Sequence, residues 1–381
     1  MERVFDVIVI GAGMAGASIA AFLSEHRRVA LLEAEDQAGY HTTGRSAALW
    51  TANYGPPDVR LLTRLSRGFF ETPPDGFATA PLLRPRPVLL LATAEQMPAL
   101  DQALAEGTGL RRVTIADAAT MLPALRPGYC AAAAVEDDAF DMDVSAIHQG
   151  FLRQLRVRNG VLALRARAGR IAHRSGTWQV ETTSGAVFEA GMVVNAAGAW
   201  GDEVATLAGA APIGLLPKRR TAAIVDPSPW DAEHWPMVLD VEENWYARPE
   251  ARTRLMVSPA DATLSYPHDV QPEEIDIATG IDRMRNALDI DVRRVEHSWA
   301  GLRTFTPDGS LAFGWDKTRE GFFWCVGQGG YGIQTSPAAG RLAAALVLGH
   351  DPGEAAPAVA SIDPARFQVA ARRPKSATNS P

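Results

Sequence analysis

Val4-Phe5-Asp6-Val7-Ile8-Val9-Ile10-Gly11-Ala12-Gly13-Met14-Ala15-Gly16 decides the fold of this chain. Val4–Ile10 is short, apolar, rich in β-branched residues and bounded by glycine, which suits a buried parallel strand. An apolar helical stretch follows to Leu23, a second strand reads from Arg28 to Leu32, and Glu33 closes the unit. Strand, glycine turn, helix, strand and acidic residue stand in the order of a dinucleotide-binding βαβ unit. Gly11 permits the tight turn, Gly13 lets the backbone approach a pyrophosphate at the helix N-terminus, and Gly16 lets helix and strand pack closely. Glu33, 22 residues after Gly11, is placed to accept hydrogen bonds from a ribose 2′-hydroxyl. With 33 glycines in 381 residues, chance supplies about 0.25 copies of GxGxxG. Context therefore carries the reading more than spacing does.

Outward from this unit, Asp143 is set to cap a helix whose apolar positions Val144, Ile147, Phe151 and Leu155 keep helical spacing up to Asn159-Gly160. Three short strands, Arg170–His173, Trp178–Thr182 and Val187–Ala190, then form a meander, and Gly191–Val194 reads as a further buried strand. Residues 217–320 read as a mostly β region with one helical stretch near Pro272–Ala287. Phe322–Val326 is another apolar strand, leading through Gln328–Gly332 into a helix ending near Leu348. Beyond Gly349 the composition turns to Pro, Ala and charge, and the last ten residues are expected to be disordered.

The chain is 47% hydrophobic and 21% charged, a composition and length that allow two or three domains. Its 37 basic and 44 acidic side chains leave a net charge of −7, which argues against nucleic-acid binding. The apolar runs Pro87–Ala92 and Leu342–Leu348 are too short to cross a bilayer, and no signal peptide is visible, so the expected location is cytoplasmic. Two cysteines, Cys130 and Cys325, provide neither a disulfide framework nor a cysteine zinc site. The eight histidines lack metal-ligand spacing, and no metal site is expected.

Two further small-residue turns follow buried strands, at Ala196-Ala197-Gly198 and at Gly329–Gly332. A simple nicotinamide dehydrogenase needs only its N-terminal unit; three such turns suit a larger embedded cofactor touched by several segments. The second turn leads into a helix whose N-terminal dipole could face the carbonyl edge of a flavin. Arg303 stands in the otherwise apolar stretch Trp299–Phe305, where an uncompensated guanidinium would be costly, so an anion is expected beside it: a substrate carboxylate or an internal Asp or Glu. Lys218-Arg219-Arg220 alone reads as solvated surface. The acidic runs Glu136-Asp137-Asp138 and Asp141/Asp143 read as a solvated loop and a helix cap, not as catalytic carboxylates.

Together, Gly11–Gly16, Tyr40-His41-Thr42-Thr43-Gly44-Arg45-Ser46-Ala47-Ala48, Asn195–Trp200 and Gly329–Thr335 resemble the FAD-dependent D-amino-acid oxidase superfamily. Within it the chain is most similar to bacterial D-arginine dehydrogenase, through Leu83–Pro87, Pro217–Arg220, Trp299–Arg303 and Gln328–Ser336. The resemblance implies an α/β fold: a discontinuous Rossmann-like FAD-binding domain (residues 1–80, 142–216 and 310–350), a β-rich substrate domain (81–141 and 217–309) and a C-terminal tail (351–381), partly disordered. It implies cofactor contacts from Gly11, Ala12, Gly13, Met14, Ala15, Gly16 and Glu33, and from Thr42, Thr43, Arg45, Ser46 and Ala47. Further contacts come from Ala197, Gly198 and Trp200, and from Gly329, Gly330, Tyr331, Gly332, Ile333, Gln334 and Thr335.

By the same resemblance, Arg220 and Arg303 clamp the substrate carboxylate, Tyr54 and Tyr246 complete the anchoring, and the Gly330 carbonyl orients the amine. Leu49, Val88, Met237 and Leu239 line the pocket. The implied reaction is oxidative deamination of a D-amino acid by hydride transfer from Cα to the flavin, giving an imino acid and then a 2-oxo acid plus ammonia. Oxygen, a quinone or an electron carrier would reoxidise the flavin. Relatives that take cationic substrates have an acidic residue at the Val88 position and a histidine at the Leu49 position, so apolar or uncharged side chains are expected here. Oxidation of a secondary amine or a 2-hydroxy acid, and a non-catalytic dinucleotide-binding role, are the alternatives. Sarcosine-oxidase relatives attach flavin through cysteine; Cys325, inside an apolar strand, is expected to be a packing residue instead.

Overall fold

The computed structural model describes residues 4–250 and 253–368. β1 (Val4–Ile10), α1 (Met14–Leu23) and β2 (Val29–Leu32) realise the N-terminal unit, with the second strand starting one residue later than its sequence suggests. β1 lies between two parallel neighbours, β2 and the strand Val187–Asn195. Every residue of Val7–Ile10 is buried, as a strand covered on both faces requires.

The expected break between Val187–Ala190 and Gly191–Val194 does not exist: one strand runs from Val187 to Asn195. Gly191 sits inside it because the strand changes partners there. Residues 187–190 pair antiparallel with Thr177–Thr182, while residues 193–195 pair parallel with Phe322–Val326 along the same edge. The result is one eight-stranded sheet to which β1, Val187–Asn195 and Phe322–Val326 contribute adjacent parallel strands.

Helices cover this sheet. α1, Val144–Val157 and Ser336–Leu348 bury Ile19, Phe151 and Leu342 in the same core as Val7 and Val9. Ile8, Ile10, Trp178 and Trp324 point to the other face. The side chain of Asp143 accepts a hydrogen bond from the Ala146 N–H at 2.8 Å, the expected cap. Past Gly349, residues 353–368 form short helical turns, and Ala358 and Ile362 enter the core beside Leu342. The expectation of disorder for the last ten residues lies outside the described residues.

A second sheet has nine strands, among them Val88–Ala92, Ala132–Glu136, Leu216–Val225, Met237–Asp240, Tyr246–Glu250 and Val295–Phe305. Its two faces differ in the way period-2 alternation predicts. Leu89 and Leu91 enter a core with Trp235, Trp245 and Met284 of the helix Glu274–Ala287, whereas Val88 and Leu90 face a cavity. Glu136 departs from its sequence reading: it ends the strand Ala132–Glu136 and is 4% exposed, while Asp137 and Asp138 are exposed. Asp141 is no cap but takes ion pairs from Arg86 and Arg248.

Candidate active site

A cavity of about 580 Å³ runs from the carboxyl ends of β1 and β2 to the face of the nine-stranded sheet that carries Val88 and Leu90. Ligands of open α/β sheets bind at that end of the strands. Gly11 has φ +101°, and a Cβ there would lie 2.5 Å from the Ala196 carbonyl oxygen. A Cβ on Gly16 would lie 1.8 Å from the Gly11 carbonyl oxygen. Both glycines are dictated by contact between the turn, its helix and the neighbouring strand.

The turn is braced from three sides. Glu33 accepts from the Ala12 N–H at 2.9 Å with one oxygen and from the Glu35 N–H at 3.0 Å with the other. The Thr43 hydroxyl oxygen accepts from the Met14 N–H at 2.9 Å. From the helix Val144–Val157, His148 places Nε2 2.9 Å from the Ala12 carbonyl oxygen. That carbonyl can only accept, so Nε2 carries the proton, and burial pushes the imidazole below its usual pKa.

Thr42 and Arg45 line the cavity, yet their polar groups tie it together. Thr42 donates to the Leu302 carbonyl at 2.7 Å, and Arg45 donates to the Ala300 and Val270 carbonyls at 3.0 Å each and pairs with Asp269. Trp299 returns an indole N–H to the Arg45 carbonyl at 3.0 Å. The segment after β2 is thereby fastened to the strand Val295–Phe305.

At the far end stand the two arginines. Arg303 donates from Nη1 to the Tyr54 hydroxyl at 3.3 Å. Gly330 is wedged against this pair: a Cβ there would lie 2.5 Å from the Tyr54 oxygen and 3.0 Å from Arg303 Nη1. Arg220 donates from Nε to the Asp261 carbonyl at 2.7 Å, and its guanidinium lies 5.9 Å from the centre of the Tyr246 ring. Among the described residues neither guanidinium has a carboxylate within 4.0 Å, so no internal ion pair accounts for Arg303. Burial alone would raise the Tyr246 hydroxyl, but the Arg303 and Arg220 charges, together with hydrogen bonding to Ser258 and Arg220, set it below the usual phenol value. The other members of the basic triplet differ. Arg219 pairs with Glu273 and with Asp276, and Lys218 lies 5.1 Å above the Phe305 ring.

Leu49, Val88, Met237 and Leu239 line the same end, with Val88 beside Met237 and Leu239 beside Tyr246 in strand register. Gly13, Ala15, Ser46, Ala47, Ala197, Gly198, Trp200, Gly329, Gly332, Ile333 and Gln334 also reach the cavity wall. Four residues expected at the cofactor stand off it. Ala12 has both peptide groups engaged by Glu33 and His148, and Gly16 packs on Gly11. Tyr331 turns its hydroxyl to the Gly309 carbonyl, and Thr335 donates to the Tyr331 carbonyl at 2.8 Å. Cys325 is 1% exposed and off the cavity, its thiol pushed far up by burial.

Sequence reasoning missed two residues here. His148 is invisible because its helix reads as amphipathic without it. Glu136 carried a usable signal: it continues the apolar run Ala132–Val135 without a break. Among the described residues, no cluster of His, Cys, Asp or Glu could hold a metal ion, and no helix is long and apolar enough to cross a membrane.

The profile of the family described as FAD dependent oxidoreductase, DAO, matches residues 6–346. The chain belongs to this family. Its cofactor is FAD, and the turn fits the pyrophosphate of such a dinucleotide: Gly11 and Gly13 line the cavity at the N-terminus of α1 with no side chain between backbone and ligand. Among solved structures, this DAO protein is similar to glycine oxidase from Geobacillus kaustophilus, with 22% identity, TM-score 0.80 and coverage of 92% of this chain and 96% of that one. It is also similar to L-proline dehydrogenase from P. horikoshii, with 19% identity, TM-score 0.83 and coverage of 97% and 99%. A curated relative, FAD-dependent oxidoreductase domain-containing protein 1 of Xenopus laevis, is 27% identical over 176 residues, 42% of this chain. That match spans only 35% of the relative's length.

Proposed function

We propose that this oxidoreductase oxidises free D-amino acids with apolar or uncharged side chains, yielding an imino acid that water converts to a 2-oxo acid and ammonia. The observation that carries this reading is the pair of guanidinium groups, Arg220 and Arg303, facing one cavity with no carboxylate within 4.0 Å among the described residues. A planar carboxylate satisfies such donors, and each charge-assisted bond contributes about 1.5–3 kcal/mol. In this reading the turn at Gly11–Gly16, Glu33 and the turns at Ala197-Gly198 and Gly329–Gln334 hold FAD. Bound FAD supplies the two-electron acceptor for oxidation of the substrate Cα–N bond.

The protein's own part is placement. Arg220, Arg303 and the hydroxyls of Tyr54 and Tyr246 fix the carboxylate. The Gly330 carbonyl accepts a hydrogen bond from the neutral amine and orients it. With those two groups held, Cα presents one face to the cofactor, and Leu49, Val88, Met237 and Leu239 receive the side chain. Glu136 also lines the cavity, opposite Val88, with one oxygen accepting from Thr51 and the other from Ala52. Burial of a D-Leu or D-Phe side chain there is worth roughly 25 cal/mol per Å²; a guanidinium would lose its water against these apolar side chains, and Glu243 is the cavity-wall carboxylate able to meet it.

A second reading, oxidation of a secondary amine, draws support from the likeness to a structure named L-proline dehydrogenase. Anaerobic mixing of the FAD-loaded protein with D- and L-leucine, D-phenylalanine, D-arginine, sarcosine, L-proline and D-lactate separates the readings by loss of flavin absorbance. Fastest reduction by D-leucine or D-phenylalanine is expected. Reduction by L-proline or sarcosine alone would favour the second reading, and reduction by none of the panel would remove both.

A further inference from the structure

One carboxyl group of the cavity wall has no part in that scheme. Glu136 pairs in register with Val88 on one side and Leu110 on the other. Among the described residues its hydrogen-bond partners belong to a single short segment. The Thr51 hydroxyl donates to Oε2 at 2.7 Å, and the Ala52 N–H donates to Oε1 at 3.0 Å. The Thr51 oxygen in turn accepts from the Asn53 N–H at 3.2 Å. Asn53 then locks to a third part of the chain: its side chain donates to the Thr108 carbonyl at 3.0 Å and accepts from the Thr108 N–H at 2.7 Å. The next residue is Tyr54, whose hydroxyl rests on Arg303.

A carboxyl group buried among apolar residues is costly unless its bonds are made. Burial pushes Glu136 above the usual carboxylate range, against the bonds from Thr51 and Ala52 that draw it down. Those bonds fix a stretch outside any regular element, where an unheld backbone would sample many conformations.

We infer that Glu136 is a positioning residue: it holds Thr51 and Ala52 against the substrate wall and so keeps the Tyr54 hydroxyl on Arg303. It acts on the carboxylate clamp through the chain and makes no contact with the substrate. This deepens the amino-acid reading above and rests on it for the clamp; the hold itself does not depend on the substrate.

The test uses the full-length FAD-loaded protein and the variants Glu136→Gln, Thr51→Val, Tyr54→Phe and Glu136→Gln/Tyr54→Phe. Hydrogen exchange in a peptide spanning residues 50–56 reads the hold directly. Glu136→Gln and Thr51→Val, which reach one contact from its two sides, are each expected to speed exchange there about tenfold and leave β1 unchanged. Propionate binding, followed by perturbation of the flavin spectrum, reads the clamp. Glu136→Gln should weaken it about five- to twentyfold, and by less than about twofold once Tyr54 is already Phe, because coupled residues do not add. Unchanged exchange, or full additivity in the double variant, overturns the inference. So does a loss much larger for 6-aminohexanoate than for propionate, which would put Glu136 in contact with the ligand. If the wild-type protein binds no carboxylate, the amino-acid reading fails, and the exchange result alone decides whether Glu136 holds the segment.

Discussion

Nε2 of His148 lies 2.9 Å from the carbonyl oxygen of Ala12, so a helix residue far along the chain fixes one peptide of the dinucleotide turn. Burial depresses the imidazole pKa, whereas the unfolded chain titrates near 6.5. The folded state therefore refuses a proton that the unfolded state accepts. Stability from this group is fully present above about pH 6.5 and is lost as pH falls below it towards the depressed folded value. Thermal melts between pH 8 and pH 5 should show a steeper acid loss for the wild type than for His148→Gln. Equal slopes would remove His148 from the acid transition.

Gly16→Ala puts a methyl group 1.8 Å from the Gly11 carbonyl oxygen, in backbone that cannot rotate away. Overpacking of this kind costs about 3 kcal/mol, and the variant should lose bound FAD on purification. Gly13→Ala meets only the Thr43 hydroxyl, at 3.3 Å. It should fold normally and bind FAD more weakly. The ratio of flavin to protein absorbance distinguishes the two.

Arg303→Ala should lower kcat/KM for the best amino acid about tenfold to a hundredfold while FAD stays bound. Arg303→Lys should recover little of the loss, because an ammonium group cannot present two donors in one plane. Steady-state kinetics on both variants check this, and an unchanged kcat/KM would make Arg303 a structural residue only.

Val88→Glu sets a second carboxyl group directly across from Glu136 in strand register. Like charges in that position repel, so the variant should be less stable at pH 8 than at pH 5 relative to the wild type. It should also raise the ratio of D-arginine to D-leucine kcat/KM about tenfold or more, since one charge-assisted pair is gained. Parallel substrate titrations measure the ratio; no change would mean that side chains do not reach Val88.

The N-terminal unit was legible because strand burial, glycine spacing and the acidic end each point to the same βαβ geometry. The helix after Asp143 was legible because cap and periodicity agree. What escaped the sequence reading depends on partners far along the chain. Gly191 looks like a strand end, yet it continues the strand because Phe322–Val326 takes over the edge that Thr177–Thr182 leaves. Glu136 looks like the start of a solvated acidic loop because its neighbours Asp137 and Asp138 are exposed; only the hydrogen bonds from Thr51 and Ala52 make its burial tolerable. The lone standing of Arg303 among apolar residues was visible, but not that no carboxylate among the described residues pairs with it, which is a statement about three dimensions.

The order of strands around Val187–Asn195 also constrains how the protein reaches its native state. β1, made first, finds one parallel neighbour at once in β2, but its other lies at residues 187–195, and that strand has its own at residues 322–326. During synthesis the Gly11 turn therefore waits for most of the chain before the surfaces opposite it exist. Such long-range pairing slows folding, and until Phe322–Val326 arrives, half an edge of a very apolar strand stays open to other chains. Cofactor supplied during refolding, rather than after it, should then raise the yield of native protein, because it gathers the three late-meeting turns into one compact nucleus.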